Sequence, residues 1–235
     1  MDVSSLNGLH RAVARESIRQ QSEGARGRRG RSFDGLVLRA FDIVLSIAAL
    51  IFLTPLMLIV AAAVYFGDPG PIIFAHSRVG KMGRTFPCFK FRTMICDAEQ
   101  RLEEYLANNP AQRLLWERDH KLKDDPRITP LGKFLRRASL DELPQLFNVL
   151  RGEMSLVGPR PITIAEVFRY GRYFAEYREV RPGITGLWQV SGRSEVNYRR
   201  RVAIDTIFTR KISPLLYLKI VVMTVPAVLF ARGSC

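Results

Sequence analysis

Cysteine is scarce and unpaired by spacing: Cys88, Cys96 and Cys235 are odd in number and make no C-x-x-C. That excludes a disulfide framework or thiolate zinc site and fits a reducing, cytosolic face. Histidine is equally thin. His10, His76 and His120 are scattered, read as incidental, and give no metal cluster. Gly80 and Gly83 lack the spacing of a phosphate-cradling loop and read as a hairpin connection. Acids are few beside bases, 22 against 36, which leaves a net charge of +14. Such an excess implies an anionic partner: a phospholipid surface, nucleic acid or phosphorylated substrates.

Charge is missing altogether from Ile43 to Phe66. As a helix this run covers roughly 36 Å, enough to cross a bilayer. It is too long and too far from the N-terminus for a cleaved signal peptide. Thr54-Pro55 interrupts it, frees the Ile51 carbonyl and favours a kink. Basic residues flank both ends, Arg28, Arg29, Arg31 and Arg39 before it and Arg78, Lys81, Arg84, Lys90 and Arg92 after it. Basic flanks stay cytoplasmic, so residues 33–67 are expected to form a re-entrant membrane helix, bent or hairpin-like, rather than a straight span. Residues 1–32, rich in Arg, Gly, Ser and Gln, read as a mostly disordered basic arm, either a solvated tail or a membrane-surface anchor.

Residues 68–235 read as one mainly helical α+β domain. Ile72–His76 and Phe86–Arg92 form a small β-hairpin that sets Lys90 and Arg92 on one face, facing either solvent or phosphate. Residues 97–123 are helical by pattern, with Leu102, Leu106, Leu114, Leu115 and Trp116 forming a stripe that is either buried or membrane-contacting, core packing being the preferred expectation. Thr129 caps a short helix opened by Pro130. Leu143, Leu146, Phe147 and Leu150 make a further stripe ended by Gly152. Residues 195–211 suggest a polar helix with Arg199, Arg200 and Arg201. Pro214–Phe230, broken by Lys219 and Pro226, suggests an interfacial helix. Trp188, in the loop 181–193, fits core, membrane or a stacked base equally.

Chemistry concentrates in residues 136–145, where Asp141 and Glu142 follow Arg136 and Arg137. Carboxylates are hard ligands for Mg²⁺, which is usually shared with substrate phosphates, and arginine forks match phosphate oxygens. Ser139 with Glu142 also fits a capping box. Pro144 argues against that, because it removes an N–H and displaces Leu143 from the α region. The dyad is therefore expected at an interrupted helix. Arg160, held between Pro159 and Pro161, has little backbone freedom to lose and suits either a preorganised anion contact or a rigid turn.

Five motifs in order carry a resemblance: Lys90-Phe91-Arg92-Thr93-Met94, Asp125-Pro126-Arg127-Ile128-Thr129, Ser139–Gln145, Gly158-Pro159-Arg160-Pro161 and Arg181–Gly186. Together, over about residues 34–231, they resemble the bacterial sugar transferases, the monotopic polyprenyl-phosphate phosphoglycosyl transferases. The chain is most similar to short exopolysaccharide-initiating members, without the multi-span N-terminal region of longer ones. The resemblance implies a helix broken at a Ser-Pro-type pair, matched by Thr54 and Pro55, and a location on the cytoplasmic face of the bacterial inner membrane. It implies a UDP-sugar donor, a polyprenyl phosphate acceptor, Mg²⁺ and no nucleic acid. By motif position Asp141 is the nucleophile and, with Glu142, a metal ligand; Arg136 and Arg160 bind phosphate, joined by Lys90 and Arg92. A galactose or glucose phosphate is the expected cargo, and the membrane-facing surface leaves room for a homodimer. The closing helix departs from the pattern, with Tyr217 where Asp is common. Two rival readings stand beside this one. They are single displacement without a covalent intermediate, and a non-catalytic basic membrane module.

Overall fold

The computed structural model describes the backbone of residues 3–119, 122, 124–191 and 197–229, and side chains of 35–117, 122, 124–191 and 197–226. The arm's arginines, His10, His120, Gly192, Arg193, Phe230 and Cys235 fall outside the described side chains. The chain forms two compact units, Met1–Phe41 and Asp42–Cys235. The first belongs to helix α1 (Val3–Gly67), within which the expected arm boundary at residue 32 falls.

α1 runs unbroken through Pro55, with the Thr54 hydroxyl donating to the Leu50 carbonyl at 2.6 Å. This back-bond gives Thr54 a partner beside the proline, a placement that tends to bend helices. Gly35–Gly67 is long and apolar enough to cross a membrane. Its outward side chains, among them Ile51, Leu58, Ile59 and Phe66, are exposed, while Val60 and Val64 are buried. One stripe therefore faces the protein and the remainder suits hydrocarbon.

Strands β1 (Ile73–Val79) and β2 (Thr85–Phe91) pair antiparallel around a tight turn, with Phe74 opposite Lys90 and His76 opposite Cys88. The hairpin expectation holds. The single core stripe expected over 97–123 does not. Pro110 splits that stretch into α2 (Ala98–Asn108) and α3 (Pro110–Asp119), shifting the helical phase, so Leu114 and Leu115 are exposed. α4 (Pro130–Arg137) starts as read, with the Thr129 hydroxyl accepting from the Gly132 N–H at 2.9 Å. α5 (Gln145–Arg151) ends at Gly152 in the left-handed region, φ 81°.

β3 (Ser155–Val157) pairs parallel with β4 (Gly183–Thr185), a short pairing that no periodicity announces. Between them lie two single-turn helices, α6 (Val167–Tyr170) and α7 (Phe174–Tyr177). α8 (Leu187–Val190), α9 (Tyr198–Lys211) and α10 (Pro214–Leu229) complete the chain. On α10, Leu215, Leu218, Val222 and Val225 are exposed and Tyr217 and Ile220 fully buried, so its apolar residues divide between an outward face and the core.

Among the described residues, three apolar clusters hold the fold. Val60 and Val64 of α1 pack with Phe91 and Leu135, and Leu140 and Leu143 beside the dyad join them. Phe86 and Cys88 meet Val149 and Met154, and Val79 and Ile162 meet Tyr170, Tyr177 and Val202. Burial pushes the Cys88 thiol up to about 11, which leaves it inert.

Candidate active site

The dyad sits where a helix is interrupted, as expected, but the break is made by Ser139 and not by Pro144: Leu143, before the proline, stays in the α region at φ −54° and ψ −37°. α4 stops at Arg137, Ser139 turns into the left-handed region at φ 56°, and Leu140–Glu142 make one tight turn before α5. Ser139 makes no side-chain cap, so the capping-box alternative does not form. The reversal turns Asp141 inward to 6% exposure.

Lys90 of β2 meets both acids, its Nζ lying 2.7 Å from Glu142 Oε1 and 3.4 Å from Asp141 Oδ2. β2 is itself held from α5 by Asn148, fully buried. Its amide oxygen accepts from the Phe89 N–H at 3.0 Å and its nitrogen donates to the Pro87 carbonyl at 2.7 Å. Arg136 Nε donates to the Thr93 hydroxyl at 3.0 Å, where α4 crosses the chain at Gly132 so closely that a Cβ would collide with the Thr93 carbonyl.

The two acids are driven apart. Burial, together with the neighbouring Glu142 charge, holds the Asp141 carboxyl above the usual carboxylate range although Lys90 and Arg136 oppose it. Burial also acts on Glu142, but Lys90, Arg160 and Arg78 prevail and hold it below its ordinary value. Adjacent acids, one buried and one half-buried, with split affinities for protons are a frequent mark of working acids.

Arg160 enters from the loop after β3. Its backbone is pinned by Tyr177, which donates to its carbonyl at 3.3 Å, and lies beside buried Asp205. The Gly158 and Gly183 segments touch backbone to backbone, Gly158 N donating to the Thr185 carbonyl and Gly183 N to that of Pro159, at 2.9 and 2.8 Å. The guanidinium lies over the Trp188 ring, 5.6 Å from its centroid. Trp188 is thus buried against cations, which settles its place within the protein.

Arg92 lines the same groove as Lys90, with its guanidinium held against the end of α1. Its guanidinium donates to the Asp68 carbonyl and to Val64 O at 3.4 Å, closing the C-terminal end of α1, and it also meets Cys96 and the Asp68 carboxylate. Arg92 follows the last residue of β2, so the alternation that put it beside Lys90 no longer applies. Asp125, within a resemblance motif, grips Arg127 at 2.6 and 2.8 Å and shapes a turn.

Lys90, Arg92, Arg136, Asp141, Glu142 and Arg160 all line one open groove, about 2060 Å³, whose wall includes Ala49, Phe52 and Leu53 of α1 beside Thr54-Pro55. Carboxylates, cations and the apolar helix thus share one space. No group of three or more metal-type side chains occurs among the described residues. Two carboxylates still suit Mg²⁺, which typically takes one or two from the protein and fills the rest with water and phosphate.

The family model described as bacterial sugar transferase matches residues 33–231. This chain belongs to the bacterial sugar transferase family. Relatives include the exopolysaccharide production protein ExoY of Sinorhizobium fredii, 48% identical over 204 residues that are 87% of this chain and 90% of that one. The undecaprenyl-phosphate galactose phosphotransferase of Salmonella typhimurium is 54% identical over 73% of this chain but only 36% of its own. The UDP-glucose:undecaprenyl-phosphate glucose-1-phosphate transferase of Escherichia coli is 38% identical over 81% of this chain and 39% of its own. Against those two, this sugar transferase matches little more than a third of the relative's length.

Proposed function

We propose that this sugar transferase moves a sugar-1-phosphate from a UDP-sugar to polyprenyl phosphate, at the cytoplasmic face of the inner membrane. The observation that carries the proposal is Asp141, buried beside Lys90 and Arg136, with Arg160 acting on the neighbouring Glu142, in a groove that the apolar helix also lines. A soluble nucleotide and a lipid phosphate meet at such a place if α1 enters and leaves one leaflet, a course that the Thr54 back-bond beside Pro55 and the two-sided basic flanks favour.

The transfer runs in two displacements. An Asp141 oxygen attacks the phosphorus bearing the sugar, and the bridging P–O bond breaks with its electron pair going to departing UMP. A phosphate oxygen of the lipid acceptor then attacks the carboxyl phosphate, giving polyprenyl-diphosphate-sugar and returning Asp141 to carboxylate. Covalent catalysis divides one hard step into two easier ones. Raised basicity suits Asp141 to attack, and the depressed Glu142 stays ionised to hold Mg²⁺ with it. Bound there, Mg²⁺ offsets charge on the phosphoryl oxygens. Lys90, Arg136 and Arg160 orient those oxygens.

Mass spectrometry of the protein after UDP-sugar alone, without acceptor, tests this. A phosphosugar adduct on Asp141 is expected. Its absence in protein that turns over normally would mean single displacement. Asp141→Asn should lower turnover by about a thousandfold or more, the scale of losing a nucleophile. UDP-galactose and UDP-glucose are the first donors to score by UMP release, since relatives bear those sugars in their names.

A further inference from the structure

We infer that the end of the groove built from Arg160, Trp188 and Arg201 holds the nucleoside monophosphate half of the donor, with Arg201 on its phosphate. The inference rests on the reaction proposed above and goes beyond it, because Arg201 belongs to none of the five motifs.

Arg201 lies 4.7 Å from the Trp188 centroid and 5.1 Å from that of Tyr198. With Arg160 over the same indole, two guanidinium groups share one buried aromatic platform. Trp188 is 5% exposed, so its part is to fix the two cations rather than to offer a bare face to a base. A guanidinium held flat keeps its planar N–H fork aligned for phosphate oxygens. Arg78 and Arg169 line the same end of the groove, where the acid is Glu166, 3.5 Å from Arg78. Beneath them Asp205, 2% exposed and one helical turn beyond Arg201 on α9, accepts from the Tyr170 hydroxyl at 2.8 Å and lies beside the Arg160 backbone. It sets the loop that carries Arg160 against the helix that carries Arg201.

A second observation identifies the class of ligand. Buried side-chain polar atoms without a partner among the described residues gather here. Trp188 Nε1, Arg201 Nε, Tyr198 Oη, His76 Nδ1 and Gln189 Oε1 all belong to groove-lining residues, while Ser46 Oγ does not. An unpaired buried polar group is unfavourable, so the cost is concentrated where a ligand offsets it. The set mixes N–H donors with a carbonyl acceptor. Polyprenyl phosphate, a monoester, presents mainly acceptor oxygens. A pyrimidine nucleotide presents phosphate and carbonyl acceptors together with ring N–H and ribose hydroxyl donors, and so answers both kinds. That favours the nucleotide.

Binding measured without turnover tests the inference. The full chain in lipid nanodiscs carries Trp116→Phe, which leaves Trp188 as the sole indole. UMP, inorganic phosphate and a short-chain polyprenyl phosphate are titrated against its emission. UMP is expected to change that emission, and Arg201→Ala to weaken UMP binding and raise the donor KM by about tenfold, as loss of a charge-assisted hydrogen bond predicts. The acceptor KM should stay unchanged, as should both constants in the exposed control Arg200→Ala. Should Arg201→Ala fail to fold, Arg201→Lys, which keeps charge but lacks the planar fork, is read in the same way. UMP affinity equal to wild type in the folded variant overturns the inference, as does a loss confined to polyprenyl phosphate. If wild type binds UMP here yet releases none from any UDP-sugar, the reaction fails and the subsite stands. If turnover is normal and Arg201→Ala matches wild type, the subsite alone fails.

Discussion

Asp205 holds its proton unusually well, because burial pushes its carboxyl up to about 7 against the pull of Tyr170, Arg201 and the Arg160 backbone. In the unfolded chain the group is an ordinary carboxyl that ionises near 3.8. Between those values the unfolded chain has released a proton the folded one keeps, so stability falls as pH rises, then levels above about 7. Each unit of displacement is worth roughly 1.4 kcal/mol. Asp205→Asn removes that slope. Thermal unfolding of both proteins from pH 5 to 8 should show the variant gaining on wild type up to about neutrality; parallel profiles would refute the assignment. At this scale the sequence told apart two sorts of residue. Asp141, Glu142, Arg136 and Arg160 were legible because adjacent acids and arginines, and an arginine between prolines, have few packing reasons to exist. Asp205, Asn148 and Arg201 were not, since a polar residue in a polar helix resembles a solvated one until a distant partner is known.

The short elements obey the same division. Thr129-Pro130 made the start of α4 readable, because a cap and a first-turn proline rest on backbone chemistry local to a few residues; the break before the dyad was expected from Pro144 but is made by left-handed Ser139, with Leu143 still in the α region. The β3–β4 pair was hidden, as three residues are too few to show alternation. What marks that pair is glycine. A Cβ on Gly158 would collide with the Arg181 carbonyl and the Gly183 nitrogen, which are backbone and have nowhere to move. Gly158→Ala should therefore cost roughly 1–3 kcal/mol or more by overpacking, and it should shift Arg160 as well. A lowered unfolding midpoint together with a raised donor KM is the expected pair of readings. An unchanged KM would mean that Arg160 is placed by something other than this contact.

For the molecule as a whole, the decisive point is Asp42, at the start of the second compact unit and 2% exposed. It accepts from the Ser155 hydroxyl and the Leu156 N–H at 2.8 Å each, and from the Tyr217 hydroxyl at 2.7 Å. Tyr217, the one visible departure from the family pattern, is thus a tie between the apolar helix, β3 and α10. Tyr217→Phe leaves the other two donors in place and should cost about 1–3 kcal/mol, readable as a lower unfolding temperature in nanodiscs. No change at all would show that the tie is dispensable. Because the inner stripe of α1, through Asp42, Val60 and Val64, belongs to the catalytic core, cutting the chain after Gly67 cannot yield a detergent-free enzyme. Such a fragment would be left with an open hydrophobic trough under Phe91 and Leu135. Water solubility has to be engineered on the outward side instead, by polar replacements at Leu58, Ile59 and Phe66, with the helix kept whole.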